Sequence, residues 1–209
     1  MNHEKLCAFD FDSTLMDGET IDILGAAAGT GAEISAITEA AMRGELDFFE
    51  ALTSRVLLLK GLKYERVQGL CRTLPLMPGA PEAIRDLKQK GYRVVIFSGG
   101  FREATRHHAE VLGADADFAN FLHVKDGALS GLVGGEMMTS DAKGQMLTRL
   151  QNLLNVSKEN TIAVGDGAND LSLFEHAGRK IAFCAKAVLK EAADYVVDVK
   201  YVREVSKGL

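Results

Sequence analysis

Two aspartates, Asp10 and Asp12, stand two residues apart behind the apolar run Leu6-Cys7-Ala8-Phe9, and hydroxyls follow at Ser13 and Thr14. Residues at this spacing share one face of a strand, so an extended backbone crowds the two carboxylates together. Like charges that close are costly unless a cation or a proton separates them. The pattern reads either as a metal site at the carboxyl end of a strand, where one carboxylate can also be nucleophile or acid, or as a strand ending in a solvated acidic turn. A second group, Gly165-Asp166-Gly167-Ala168-Asn169-Asp170, gathers two acids and an amide on a glycine-rich turn. Its plain alternative is an aspartate helix cap between glycine turns.

Ser98-Gly99-Gly100 offers a hydroxyl and a turn ahead of a helix whose first amides suit an anion. Lys143 opens a further predicted helix, either as a solvated charge or as the cation facing that anion. Glu19 and Arg55 supply what a zwitterionic amino acid needs: a carboxylate for its ammonium and a guanidinium for bidentate capture of its carboxylate. Taken singly, each is an ordinary surface charge.

The elements that position these residues follow from periodicity. A buried strand covers residues 6–11. From Glu19 to about Leu74 only helical patterns occur. They are Ile21-Ile23-Leu24, then Ile34-Ile37-Ala41 closing at Gly44, then Phe48-Leu52-Val56-Leu59 behind the N-cap Asp47, then Tyr64-Val67-Leu70-Leu74. All three prolines, Pro75, Pro78 and Pro81, mark the return. Helices at 81–89, 102–112, 143–154, 169–177 and 188–192 then alternate with strands at 93–97, 161–164, 180–183 and 195–197. A small antiparallel excursion is expected at 122–138, turning at Lys125-Asp126-Gly127. The expected fold is α/β: a doubly wound parallel sheet, a Rossmann-like core, with a small helical cap inserted after the first strand. The core takes 1–15 and 75–209 and the cap 16–74. In such sheets ligands sit beyond the carboxyl ends of the strands, where the motifs would meet.

The 209 residues, 47% hydrophobic and 25% charged, are those of a soluble globular protein. The net charge of −5 and the lack of a basic stripe argue against nucleic acid or an anionic membrane as partner. No apolar segment reaches the roughly 18 residues of a membrane span, and Met1–Lys5 leads into a run too short for a signal peptide. Cys7, Cys71 and Cys184 are scattered, without CxxC spacing, and read as core residues in a reducing compartment. A cytoplasmic location is expected. The five histidines form no ligand cluster, and His107-His108 read as surface.

In order along the chain, Asp10-Phe11-Asp12-Ser13-Thr14, Ser98, Lys143 and Gly165–Asp170 resemble the four motifs of the haloacid dehalogenase-like phosphohydrolases. The resemblance implies that Asp10 attacks phosphorus to give an aspartyl-phosphate and that Asp12 acts as acid, then base. It implies Mg²⁺ held by Asp10, the main-chain carbonyl of Asp12, and Asp166. Ser98 and Lys143 would take the phosphoryl oxygens, with Thr14, Gly100 and Asp170 in support. The segments SRVLLLKGL, SGGF, FANFLHVKDG, AKG, AVGDGANDLS and IAFCAK are similar to the branch of that family that hydrolyses O-phosphoserine, the last step of serine biosynthesis. For the substrate, a small phosphomonoester, this implies serine contacts from Glu19 and Arg55, with Gly99 and Asn169 beside Ser98 and Lys143. Phe48 and Met42 are either an apolar lid or core residues of their helices. Two other readings stand beside it: a phosphatase or phosphotransferase for another phosphomonoester, and a non-catalytic phospho-ligand-binding protein. The intact Asp10/Asp12 pair speaks against the second.

Overall fold

In the computed structural model, which describes residues 4–207, the first apolar run forms β1 (Lys5–Asp10) at the centre of a seven-stranded sheet. The other strands are β2 (Tyr92–Phe101), β3 (Ala116–Lys125), β4 (Ala128–Gly135), β5 (Thr161–Gly165), β6 (Arg179–Phe183) and β7 (Tyr195–Val197). Their order is β4-β3-β2-β1-β5-β6-β7, and every pairing is parallel except β3 with β4. β1 is buried from Leu6 to Asp10 because helices cover both faces. Its side chains alternate between two apolar clusters: Cys7 and Phe9 join one, Leu6 and Ala8 the other.

The first cluster includes Ile84 and Leu87 of α5 (Ala80–Gln89) and Ala104 and Leu112 of α6 (Arg102–Leu112). It continues into α1 (Thr20–Ala28), α2 (Gly31–Met42), α3 (Phe48–Leu57) and α4 (Tyr64–Arg72) through Leu24, Ile34, Leu52 and Val67. The opposite face is covered by α7 (Ala142–Leu154), α8 (Leu171–His176) and α9 (Ala187–Glu191) through Leu147, Phe174 and Leu189. A last helix, α10 (Glu204–Lys207), lies against α5.

The four helices from Thr20 to Arg72 leave and rejoin the sheet at one place. The Asp17 N–H donates to the Pro75 carbonyl at 2.9 Å, and the Met77 N–H to that of Leu15 at 2.8 Å. α3 begins as its sequence requires. Asp47 Oδ1 accepts the Glu50 N–H at 2.8 Å, and Glu50 Oε2 accepts the Asp47 N–H at 3.1 Å, a reciprocal capping box.

The structure corrects several expectations. β2 does not break at Ser98-Gly99-Gly100 but runs through them to Phe101, with a shift of register against β3 after Phe97. β3 begins at Ala116, pairing first parallel to β2 and only then antiparallel to β4. Its start was hidden because Asp115 and Asp117 interrupt the apolar pattern. Both are engaged: Asp115 Oδ2 accepts the Val94 N–H at 2.8 Å, and Asp117 Oδ2 accepts the Thr105 hydroxyl at 2.7 Å. His108 is core, not surface: its ring nitrogens lie 2.9 and 3.3 Å from the carbonyls of Ala104 and Leu74. Cys7 and Cys71 are buried, whereas Cys184 is exposed, at φ +44°. The helix expected at 169–177 is a 3-10 turn, Ala168–Asp170, followed by α8.

Candidate active site

At the end of β1 the chain folds sharply. The Phe11 carbonyl accepts the amides of Leu15 and Met16, both at 2.9 Å, and Ser13 takes φ +58°. This turn sets Asp12 beside Asp10 but on a different set of partners. Asp10 is buried at the strand end, where the Lys143 ammonium donates to its Oδ1. Lys143 is no solvated charge. It is 3% exposed at the start of α7, and its Nζ also donates to Asp170 Oδ1 at 2.6 Å. The other Asp170 oxygen accepts the amides of Asp166 and Gly167 at 3.0 and 3.2 Å, so the glycine-rich turn after β5 folds around this one carboxylate.

Carboxylate oxygens of Asp10, Asp166 and Asp170 all lie within 4.8 Å of one another. Three acids against one ammonium leave the cluster short of positive charge. Burial and the carboxylates of Asp170 and Asp166 push Asp10 well above the usual range, with Lys143 opposing. Burial and Asp170 raise Asp166 to about 6. Burial works against the Lys143 charge, but Asp10 and Asp170 outweigh it and hold the ammonium protonated. The cluster can hold a metal ion, and its all-oxygen donor set suits a hard divalent cation.

Asp12 is held by a separate set of donors. Its Oδ1 accepts both the N–H and the hydroxyl of Thr20, at 2.7 and 2.5 Å, and its Oδ2 accepts the Ser98 hydroxyl at 3.1 Å. Ser98 Oγ in turn accepts the Gly100 N–H at 2.9 Å. A Cβ on Gly100 would sit 2.8 Å from Asp12 Oδ2 and 3.0 Å from Ser98 Oγ, so only glycine leaves that oxygen free.

A cavity of about 450 Å³ opens over these groups. Asp10, Asp12, Asp166, Gly99, Gly100 and Asn169 line its sheet side; Glu19, Asp22, Met42, Phe48 and Arg55 line the side built by α1 to α3. Glu19 accepts the Ser13 hydroxyl at 2.6 Å, and the cavity walls, then Asp12, raise its pKa to about 7. Arg55 is lowered by burial, against the pull of Glu19, Asp22 and Asp12. Its Nε donates to the Ala51 carbonyl at 3.1 Å and its Nη1 to Thr38 Oγ1 at 3.4 Å. Phe48 is half-buried against the core and reaches Gly99, where a Cβ would meet its Cζ at 2.8 Å. Met42 is 66% exposed at the cavity rim, so the core reading fails for it.

Of the residues singled out by sequence, Ser98, Lys143 and Asp170 lie outside the cavity lining but bond to Asp12, Asp10 and Asp166, which line it. Thr14 is also buried outside the lining, and its hydroxyl has no hydrogen-bond partner among the described residues. Four participants were not anticipated: Thr20, Asp22, Thr38 and Lys186, whose N–H donates to the Asp166 carbonyl at 2.9 Å. Asp22 carried a signal, because it follows Glu19 by three residues at the start of a helical pattern and so shares its face.

The sequence profile of the haloacid dehalogenase-like hydrolases matches residues 4–178. A phosphoserine phosphatase of Wolinella succinogenes is 54% identical over 201 residues, 96% of this chain and 98% of the relative. One of Methanocaldococcus jannaschii is 47% identical over 204 residues, 98% and 97% of the two chains. Among solved structures, a phosphoserine phosphatase with a phospho-aspartyl intermediate analogue superposes with a TM-score of 0.95 at 46% identity, covering both chains completely. A substrate-bound phosphoserine phosphatase gives 0.94 at 45%, again over both whole chains. Among the described residues no helix is long and apolar enough to cross a membrane. With a family profile over most of its length and close relatives along nearly all of it, the chain belongs to the haloacid dehalogenase-like hydrolases and, within them, to the phosphoserine phosphatase family.

Proposed function

We propose that this chain is a Mg²⁺-dependent phosphatase that hydrolyses O-phosphoserine to serine and inorganic phosphate through an aspartyl-phosphate on Asp10. The observation that carries this reading is one cavity with two chemistries. Asp10, Asp12 and the acidic cluster lie on its sheet side, and Glu19 and Arg55 face them across it. The arginine suits the carboxylate of a serine moiety and the glutamate its ammonium.

In the first step an Asp10 oxygen attacks phosphorus, the bond from phosphorus to the serine oxygen breaks, and Asp12 gives that oxygen a proton. In the second a water attacks phosphorus, the bond to Asp10 breaks, and Asp12 takes the water's proton. The Ser98 hydroxyl and the Lys143 ammonium bind phosphoryl oxygens, and Gly99 and Asn169 shape the same end of the cavity. The all-oxygen cluster, with more carboxylates than Lys143 can balance, fits Mg²⁺, which Asp10, Asp166 and the main-chain carbonyl of Asp12 would hold, with Asp170 in support. Bound there, Mg²⁺ supplies the positive charge that favours ionised Asp10 and offsets its repulsion with a phosphate dianion.

Residues 16–74 act in this reading as a cap over a core formed by 1–15 and 75–209. The paired crossings at Asp17–Pro75 and Leu15–Met77 support a joint there, and the exposed Met42 supports an apolar rim that meets bound substrate. The free cysteines support a cytoplasmic site of action.

A screen of phosphorylated amino acids, with Mg²⁺ and with chelator, tests the whole reading. Phosphate release from O-phosphoserine with Mg²⁺ and its loss with chelator are expected, and Asp10→Asn should abolish turnover in a folded protein. Silence toward O-phosphoserine, or near-normal turnover by the asparagine variant, would overturn it.

A further inference from the structure

Asp12 caps a helix eight residues away. The first turn of an α-helix leaves amides without partners, and the residue at the N-cap normally supplies an acceptor. Glu19 occupies that position in α1 but makes no capping bond; its side chain accepts the Ser13 hydroxyl instead. The vacant role is taken by Asp12 Oδ1, which accepts the Thr20 N–H at 2.7 Å and the Thr20 hydroxyl at 2.5 Å. Thr20 is 1% exposed, so neither bond competes with solvent. Oδ2 has one donor, Ser98 Oγ at 3.1 Å, and lies at the glycine gap of Gly100, on the cavity lining.

From this asymmetry we infer that Thr20 is a positioning residue for Asp12. It pins Oδ1 as a permanent acceptor, so that the travelling proton sits on Oδ2, the oxygen beside Gly100 of the cavity lining. The inference rests on the proposed acid and base role of Asp12 and adds which oxygen performs it and what holds it. Oδ2–H donates to the leaving serine oxygen as the phosphorus–oxygen bond breaks. The same Oδ2 then takes a proton from the attacking water. Because Thr20 opens α1 while Asp12 follows β1, the proton donor is aligned only while the helical segment is seated on the sheet.

The test uses Thr20→Val, close in shape but without the hydroxyl, and Thr20→Ser, which keeps it, on O-phosphoserine and on p-nitrophenyl phosphate. Nitrophenolate leaves without a proton, so forming the aspartyl-phosphate from that ester needs no acid, whereas hydrolysing the intermediate still needs the base. The valine variant should lose about tenfold to a hundredfold in kcat on O-phosphoserine with KM within about threefold. On p-nitrophenyl phosphate it should show a burst of about one equivalent of nitrophenolate before slow turnover, the mark of accumulating intermediate. Thr20→Ser should restore turnover and abolish the burst. Should valine not fold, Thr20→Ala takes its place under the same criteria. Wild-type turnover by the valine variant overturns the inference, as does equal loss on both esters without a burst. Asp12→Asn run alongside separates the two levels. If it keeps its O-phosphoserine turnover, the acid and base reading falls, and this inference with it. If it loses that turnover while Thr20→Val does not, only the role of Thr20 falls.

Discussion

Replacing Lys143 by methionine removes the cation hydrogen-bonded to two of the three carboxylates while keeping an unbranched chain of similar length. The Lys143 side chain is 4% exposed and donates to both Asp10 and Asp170, themselves 4% and 0% exposed. Breaking a buried pair by deleting one partner costs about 3–5 kcal/mol, because the other charge is left uncompensated. A carboxylate can escape that cost by taking a proton, which limits the loss in a pH-dependent way. From an ordinary value near 3.8, protonation costs about 1.4 kcal/mol per pH unit, hence about 1.6 at pH 5 and about 5.7 at pH 8. The penalty is therefore at most about 1.6 kcal/mol at pH 5 and about 3–5 at pH 8. In the variant a carboxyl is raised in the folded state, so folding favours the protonated form, and stability is lost as pH climbs through the raised value. At about 2–4 °C per kcal/mol for a chain of this length, the melting temperature should fall by about 6–20 °C at pH 8 and by no more than about 3–6 °C at pH 5. Thermal unfolding of both proteins in chelator, followed by circular dichroism, measures this. An equal fall at the two pH values, or a larger one at pH 5, would refute the account of Lys143 as the counter-charge of the cluster.

Other outcomes follow from the same geometry. Gly100→Ala places a methyl 2.8 Å from Asp12 Oδ2 and 3.0 Å from Ser98 Oγ, so kcat should fall by at least about tenfold with little change in melting temperature. Wild-type kinetics would mean that the gap has no part in turnover. Arg55→Ala should weaken kcat/KM for O-phosphoserine about a hundredfold but that for p-nitrophenyl phosphate by less than about fivefold, since only the first carries a carboxylate; equal losses would remove Arg55 from recognition. In chelator, Asp166, raised from 3.8 to about 6, and Asp10 make the folded chain hold protons that the unfolded chain releases. That contribution is full below about 4 and lost as pH rises through about 6. Mg²⁺ competes with those protons, so its addition should raise the melting temperature more at pH 8 than at pH 5, and the reverse order would exclude the acidic cluster as its site.

What could be read from the sequence is what depends on residue type. Asp10 and Asp12, the GDGAND run and Lys143 need particular functional groups at the ends of periodic elements, and both the groups and the periods are visible in one dimension. Strand ends that depend on pairing were less legible. Ser98-Gly99-Gly100 looks like a turn because glycine is poor in strands. It stays extended because Phe101 pairs with Asn120, whose amide donates to the Gly99 carbonyl at 3.1 Å. His108, which reads as surface, is internal: one ring nitrogen meets the Ala104 carbonyl of its own helix, but the other meets that of Leu74, 34 residues away. Lys143, readable either as a solvated charge or as a cation facing an anion, is buried against Asp10 and Asp170 of other elements. Such burial is a property of the topology.

Thr20 shows why the stretch between Asp12 and α1 escaped a motif-based reading. A threonine at a helix start is a commonplace cap, and nothing local distinguishes one that serves its own helix from one that serves an aspartate eight residues earlier. In the folded chain two residue pairs tie this loop by side-chain bonds: Ser13 to Glu19 once, and Thr20 to Asp12 twice. The first joins the turn after β1 to a residue proposed to bind the serine ammonium. The second joins α1 to the residue proposed to move the proton. Recognition and proton transfer are thus held by one hydrogen-bonded loop of nine residues, Asp12 to Thr20. A bound ammonium that draws Glu19 inward would pull on the same backbone that holds Thr20 against Asp12. A phosphate ester without an ammonium lacks that handle. Selectivity in this family member then need not reside in affinity alone, because the group that identifies the substrate sits on the segment that aligns the acid.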